Sequence, residues 1–194
     1  MHKISWGNKL VLKNLANFIT FTRVIFAPIL AIYFFSSFNE GNNIILVLIF
    51  VLASVTDFLD GFVARRLNQV SLLGKFLDPV ADKVLVITAL LLILYNDTRL
   101  LIFIPVFLII FRELMVSALR EWSAILNSMN SLNVNFLGKL KTTVQLVSIA
   151  FLLYKGTLLD FDVYAIGILG IYIAAFLSVI SMVKYLVNFF NEIR

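Results

Sequence analysis

The chain has 194 residues, 61% of them hydrophobic and 14% charged, with a mean hydropathy of +1.01. That composition excludes an ordinary water-soluble domain and points to an integral membrane protein with room for about six spans of about 20 residues. The net charge of +5 and pI near 9.6 fit anionic lipid and membrane topology rather than nucleic acid in so apolar a chain. Cysteine is absent and the single histidine is His2, which excludes disulfide, thiolate and histidine-based metal chemistry.

Residues 1–16 mix Lys3, Lys9 and Lys13 with Ile4, Trp6, Leu10, Val11 and Leu12. This pattern predicts an amphipathic juxtamembrane segment lying on the bilayer surface, with Trp at the interface. A cleaved signal peptide is not expected, because the apolar run that follows is too long and no small-x-small site follows it. Spans are expected over 18–38, 44–64, 75–95, 100–119, 140–154 and 163–189. Polar stretches separate them: NEGNN at 39–43, the loop Arg65–Gly74, NDTR at 96–99, Asn127–Asn135 and the turn KGTLLDFD at 155–162. The expected architecture is an all-α integral membrane protein of six transmembrane helices in a single domain, 1–194. No internal repeat stands out.

With six spans both termini share a side. Fourteen of the sixteen Lys and Arg residues then fall on that side, leaving Arg99 and Lys155 opposite. The positive-inside rule places the termini and the Arg65–Gly74 loop in the cytoplasm.

The second and third spans carry four carboxylates, Asp57, Asp60, Asp78 and Asp82. An ionised group at such a depth is costly and marks function by default. Asp57 and Asp60 are spaced i, i+3 on one predicted helix, and Asp78 and Asp82 i, i+4 on the next. A rise of about 1.5 Å per residue puts both pairs roughly 10–15 Å from the connecting loop. Four facing acidic groups require cations. Hard oxygen ligands point to Mg²⁺ or a similar divalent ion. Gly61, Gly74 and Ala64 leave a face clear for a bulky ligand, and Arg65 suits a phosphate or pyrophosphate. Pro79 frees the carbonyl of Lys75. Ion pairing of the aspartates with Arg65, Arg66, Lys75 and Lys83 would leave the metal-ligand spacing unexplained. A cation transporter is the alternative from another class, but its usual matched repeats and midplane site are not evident.

As a pattern the stretch reads D-x2-D-G-x2-A-R-x8-G-x3-D-x3-D, from Asp57 through Asp60, Gly61, Ala64, Arg65, Gly74 and Asp78 to Asp82. It resembles the signature of the CDP-alcohol phosphotransferase family, with every position filled. The resemblance implies a six-helix membrane enzyme that transfers a phosphatidyl or similar group from a CDP-linked donor to an alcohol, releasing CMP. It implies that Asp57, Asp60 and Asp78 bind the metals, two ions of Mg²⁺ or Mn²⁺, with Asp82 at the second metal or acting as general base. Asp82 is the expected catalytic base. Gly61, Arg65 and Ser71, with Ala64 and Gly74, would hold the CDP part of the donor.

Arg112, Glu113, Arg120, Lys139 and Lys141 gather near the cytoplasmic ends of spans four and five. Such a basic group fits an acceptor that carries a phosphate, although the positive-inside rule also accounts for the charges. FRELMVSALRE at 111–121, GKLKTTVQ at 138–145 and NLANFITFTRVIFAPIL at 14–30 resemble the bacterial branch of the family that uses glycerol 3-phosphate. Asn17, Thr20 and Arg23 match it. Ala16 stands where that branch often has Pro. The expectation is therefore a homodimeric enzyme of the bacterial inner membrane, its active site cytoplasmic, acting on CDP-diacylglycerol and glycerol 3-phosphate. Inositol phosphate or another polyol is the alternative acceptor, and serine ranks lower because it carries no phosphate.

Overall fold

Long apolar runs broken by short polar stretches leave the backbone one economical way to satisfy its hydrogen bonds, which is helix. The computed structural model describes residues 25–36, 43–67, 72–125, 136–158 and 161–193. Within these, 57–67, 72–82, 124–125, 136–139, 158 and 192–193 are described through their backbone alone. The described helices are α1 (Ile25–Ser36), α2 (Ile44–Leu67), α3 (Leu72–Asn96), α4 (Leu100–Ile125), α5 (Phe136–Tyr154) and α6 (Val163–Ile193). Between α5 and α6 lie β1 (Thr157–Leu158) and β2 (Phe161–Asp162), an antiparallel pair with Thr157 opposite Asp162 and Leu158 opposite Phe161.

The expected spans all fall on helix where they are described, but the boundaries differ. The loop expected at Arg65–Gly74 is shorter, because α2 continues through Leu67 and α3 starts at Leu72. Arg65, Arg66 and Gly74 are helical. Arg and Leu are strong helix formers, and polarity alone does not end a helix. α4 runs on past Leu119 to Ile125, α5 begins at Phe136 before Leu140, and α6 extends to Ile193. The turn expected at 155–162 includes the short strand pair. The juxtamembrane segment, with Ala16, Asn17, Thr20 and Arg23, lies outside the described residues.

Among the described residues, two helices are long and apolar enough to cross a membrane, over Leu100–Ser123 and Val163–Asn191. Shorter apolar helical stretches cover Ile25–Ser36, Ile44–Thr56, Lys83–Asn96 and Leu140–Tyr154. Many large apolar side chains lie on their outward faces. Phe103, Phe107 and Phe111 stack in a row along α4 with centroids 5.9 and 6.0 Å apart, all of them exposed. On α6, Leu169, Phe176, Val183 and Phe190 are exposed in the same way. Such a surface suits hydrocarbon rather than water.

The chain divides into two compact units, 1–89 and 90–194. In the first, Ala27, Leu30 and Phe34 of α1 and Leu46, Phe50 and Ala53 of α2 form buried stripes at helical spacing. In the second, α6 packs against both α5 and α4. Ile102, Val106 and Ile109 of α4, Ile149 and Leu152 of α5, and Ile171 and Ala174 of α6 are buried. Two glycines set the α5–α6 spacing. A Cβ on Gly167 would lie 3.1 Å from the Leu152 backbone nitrogen, and one on Gly170 would overlap the Ser148 hydroxyl. Small residues at a helix crossing let backbones approach closely, which is how apolar helices gain packing energy without a hydrophobic driving force.

The ends are defined locally. Lys155 closes α5 in the left-handed region at φ 53°, and its amide still reaches the Phe151 carbonyl at 3.3 Å. The Asp162 carboxylate caps α6, accepting from the amides of Tyr164 at 3.0 Å and Ala165 at 3.1 Å.

Candidate functional site

α4 enters the second unit from the same end at which α5 leaves and α6 begins. That end holds one polar knot and the opposite half holds another.

At the first end Asp97, in the turn before α4, accepts from Arg99 through Nε at 2.9 Å, Nη2 at 2.6 Å and the backbone amide at 3.1 Å. The Tyr164 hydroxyl donates to the same carboxylate at 2.5 Å. Hydrogen bonds from Arg99 hold the Asp97 carboxyl well below the usual carboxylate range. They outweigh the opposing effect of burial, and Tyr164 acts in the same direction as Arg99. Beside them Lys155 Nζ donates to Asn96 Oδ1 at 3.0 Å. The Arg99 guanidinium matches the Asp97 carboxylate, which is fully used, while Lys155 rests on a neutral amide, and the knot joins the ends of α3, α4, α5 and α6.

About 20 Å further along α4, at 1.5 Å per residue, comes the second cluster. Glu113 accepts from the Lys141 ammonium of α5 and from Arg112 Nη1 at 3.3 Å. Arg112 Nη2 donates to Ser181 Oγ of α6 at 3.0 Å. Arg112 is 7% exposed and Lys141 2%, while the Glu113 side chain is 20% exposed. Two turns on, Arg120 donates to the Tyr185 hydroxyl at 3.2 Å and lies 5.6 Å from its ring centroid. Trp122 packs on Phe189 with centroids 5.4 Å apart.

Among the described residues, two buried cations therefore share one carboxylate. A buried charge without full compensation costs several kcal/mol, so the cluster favours an anion. Three of its polar atoms also lack a partner among the described residues: Arg112 Nε, Gln145 Oε1 and Ser178 Oγ. A phosphate would bring negative charge to the two cations and oxygen acceptors to the guanidinium.

Of the residues expected to bind an acceptor phosphate, the structure brings Arg112, Glu113 and Lys141 into contact. Arg120 makes its hydrogen bond and its ring contact with Tyr185. Lys139 is on α5 with its side chain outside the described residues. Ser181, Tyr185, Gln145 and Ser178 belong to the same region and were not expected from sequence. Gln145 follows Lys141 at i+4 and Ser148 follows Gln145 at i+3 along α5, a polar stripe at helical spacing that does mark it. Serines in apolar helices give no comparable signal.

Asp57 and Asp60 lie within α2, and Asp78 and Asp82 within α3, so the spacings of three and four are helical spacings. Gly61, Ala64 and Arg65 are also on α2, and Gly74 on α3. The side chains of all these residues, and Ser71 entirely, lie outside the described residues. Among the described residues no group of three acidic or histidine side chains could hold a metal.

Comparison with known proteins places the chain. A family model described as CDP-alcohol phosphatidyltransferase matches residues 13–184. A protein of Wigglesworthia glossinidia brevipalpis is 41% identical over 172 residues, covering 89% of this chain and 92% of that protein. One of Haemophilus influenzae is 43% identical over 175 residues, covering 89% and 91%, and one of Sodalis glossinidius is 42% identical over 173 residues, covering 89% and 93%. All three relatives are named CDP-diacylglycerol–glycerol-3-phosphate 3-phosphatidyltransferase.

Proposed function

The chain belongs to the CDP-alcohol phosphatidyltransferase family, and from that premise we propose that it transfers the phosphatidyl group of CDP-diacylglycerol to glycerol 3-phosphate, giving phosphatidylglycerophosphate and CMP. The observation that carries the choice of acceptor is the buried pair Arg112 and Lys141 on a single carboxylate, which calls for a phosphate-bearing alcohol. The named activity of relatives at 41–43% identity points the same way.

The acceptor hydroxyl oxygen forms a bond to the phosphorus of the phosphatidyl group, and the bond from that phosphorus to the bridging oxygen breaks. CMP leaves with the bridging oxygen. Asp82 takes the hydroxyl proton as general base. Asp57, Asp60, Asp78 and Asp82 would hold Mg²⁺ or Mn²⁺, two ions; a donor set of carboxylates with no histidine or cysteine fits a hard divalent cation. Bound there, the metal would neutralise pyrophosphate charge and ease departure of CMP. Gly61, Ala64, Arg65, Ser71 and Gly74 hold the cytidine diphosphate. Arg112 and Lys141 hold the acceptor phosphate, Glu113 orients them, and Arg120 and Lys139 add positive potential.

All six apolar helices cross the bacterial inner membrane, with the termini and site on the cytoplasmic side, and the protein works as a homodimer. Support for the orientation comes from the charge split. Arg99 and Lys155 sit together at one end of the second unit, while Arg112, Arg120 and Lys141 occupy the other half.

The test is CMP release by the purified chain in detergent with CDP-diacylglycerol and Mg²⁺, across glycerol 3-phosphate, inositol phosphate, serine and glycerol. Release confined to glycerol 3-phosphate is expected. Release confined to another alcohol would replace the acceptor and keep the class. Asp57→Ala and Asp78→Ala should abolish release, and full activity in either would sink the metal assignment.

A further inference from the structure

Several helical serines and threonines among the described residues bond back to their own helix. Ser54 donates to the Phe50 carbonyl at 2.8 Å, Thr56 to Leu52 at 2.8 Å and Ser148 to Val144 at 2.6 Å. Bonding back to the preceding turn is the ordinary way a hydroxyl survives in an apolar helix. Ser178 does not do so. It is 0% exposed, and its hydroxyl has no partner among the described residues. Gln145 is 4% exposed, and its amide oxygen is likewise without a partner.

These two orphans adjoin the charged cluster. Gly170 faces Ser148 and Gly167 faces Leu152, so α5 and α6 run antiparallel in a defined register. Gln145 lies one turn from Lys141 along α5, and Ser178 one turn from Ser181 along α6. Both are on the buried stripes that also present Lys141 to Glu113 and Ser181 to Arg112. Left empty, such buried groups cost stability, and apolar residues of similar volume would avoid that cost.

We propose that Gln145 and Ser178 read a hydroxyl of the phosphorylated acceptor, next to the phosphate held by Arg112 and Lys141. The inference rests on the acceptor reading given above. A hydroxyl both donates and accepts, so it can donate to Gln145 Oε1 and bond with Ser178 Oγ. Arg112 Nε remains for a phosphate oxygen. In glycerol 3-phosphate one hydroxyl attacks and the other is a spectator, and the spectator is the group these side chains select.

The probe is 3-hydroxypropyl phosphate, which keeps the phosphate and a primary hydroxyl and lacks the middle one. CMP release is measured with the full chain in detergent, with CDP-diacylglycerol and Mg²⁺, against glycerol 3-phosphate. The wild-type protein should prefer glycerol 3-phosphate by about tenfold or more in kcat/KM, because a site built to bond a hydroxyl rejects the analogue that lacks it. Gln145→Met and Ser178→Ala should each shrink that preference several-fold by raising the glycerol 3-phosphate KM, with the donor KM unmoved. Their ligand-free melting temperatures should hold or rise. No wild-type preference, or an equal change with both acceptors, would overturn the proposal and make the two residues packing groups. If Gln145→Met fails to fold, Gln145→Asn, which withdraws the amide by one methylene, must show the same loss of preference. Release with unphosphorylated alcohols and with neither phosphate ester would bring down the acceptor reading itself.

Discussion

At one end of the α4–α5–α6 unit Asp97 gathers Arg99 and Tyr164; in the opposite half Glu113 gathers Lys141 and Arg112. Both knots tie several helices through one carboxylate. The first has one guanidinium, a phenol and a backbone amide on its carboxylate, and Arg99 is mostly exposed at 63%. The second buries both of its cations and leaves a guanidinium nitrogen, an amide oxygen and a serine hydroxyl without partners among the described residues. Saturation and solvent access make the first a clasp. Excess buried charge and open hydrogen-bonding capacity among the described residues are the grounds on which the second is proposed as a place for a ligand.

The comparison can be broken by substitution. Arg112→Ala or Lys141→Ala should raise the acceptor KM by about 100-fold, since truncating one member of a buried charged pair costs roughly 2–5 kcal/mol. The donor KM should stay put in the same assay, and a KM for glycerol 3-phosphate at the wild-type value would reduce both residues to topology. Glu113→Gln should act mainly on stability. It strands two buried cations, a loss of about 3 kcal/mol or more, visible as a lower melting temperature in detergent. Glycerol 3-phosphate should recover part of that loss by mass action, and a variant that melts like wild type would show that the cluster is not strained by its charge.

The closed end should respond differently. Asp97→Asn weakens the bonds from Arg99 and Tyr164 and should lower stability by about 1–2 kcal/mol, with the acceptor KM unchanged. A shifted KM would mean that the two ends are not separate in role. The smallest effect is on pH. The Asp97 carboxyl titrates lower in the folded chain than in the unfolded one. Its stabilising contribution is therefore complete above the ordinary carboxylate value near 4 and fades as pH falls below it. Acid melting curves should show wild type losing stability below about pH 4 and Asp97→Asn losing less, and parallel curves would refute the assignment.

The legibility of the chain follows from how each feature is encoded. Helical class, span positions and the acidic motif depend on runs of residues and short spacings, which survive in one dimension. The helices run into both ends of the Arg65–Gly74 stretch because residue polarity marks where a chain meets water, not where its helix stops. Arg112, Glu113 and Lys141 could be nominated from charge in an apolar setting. Their mutual contact could not, because Glu113 and Lys141 are 28 residues apart on different helices.

Sequence alone therefore determined the membrane-type composition, the helices and the Asp57–Asp82 signature, since each follows from local pattern and the high cost of placing charge in hydrocarbon. Tertiary structure decided which polar residues answer one another. Gly167 and Gly170 set how closely α5 and α6 approach, and in that register Ser181 is a partner of Arg112 while Ser178 Oγ and Gln145 Oε1 have none among the described residues. A serine that bonds its own helix and one that awaits a ligand are the same letter; packing distinguishes them.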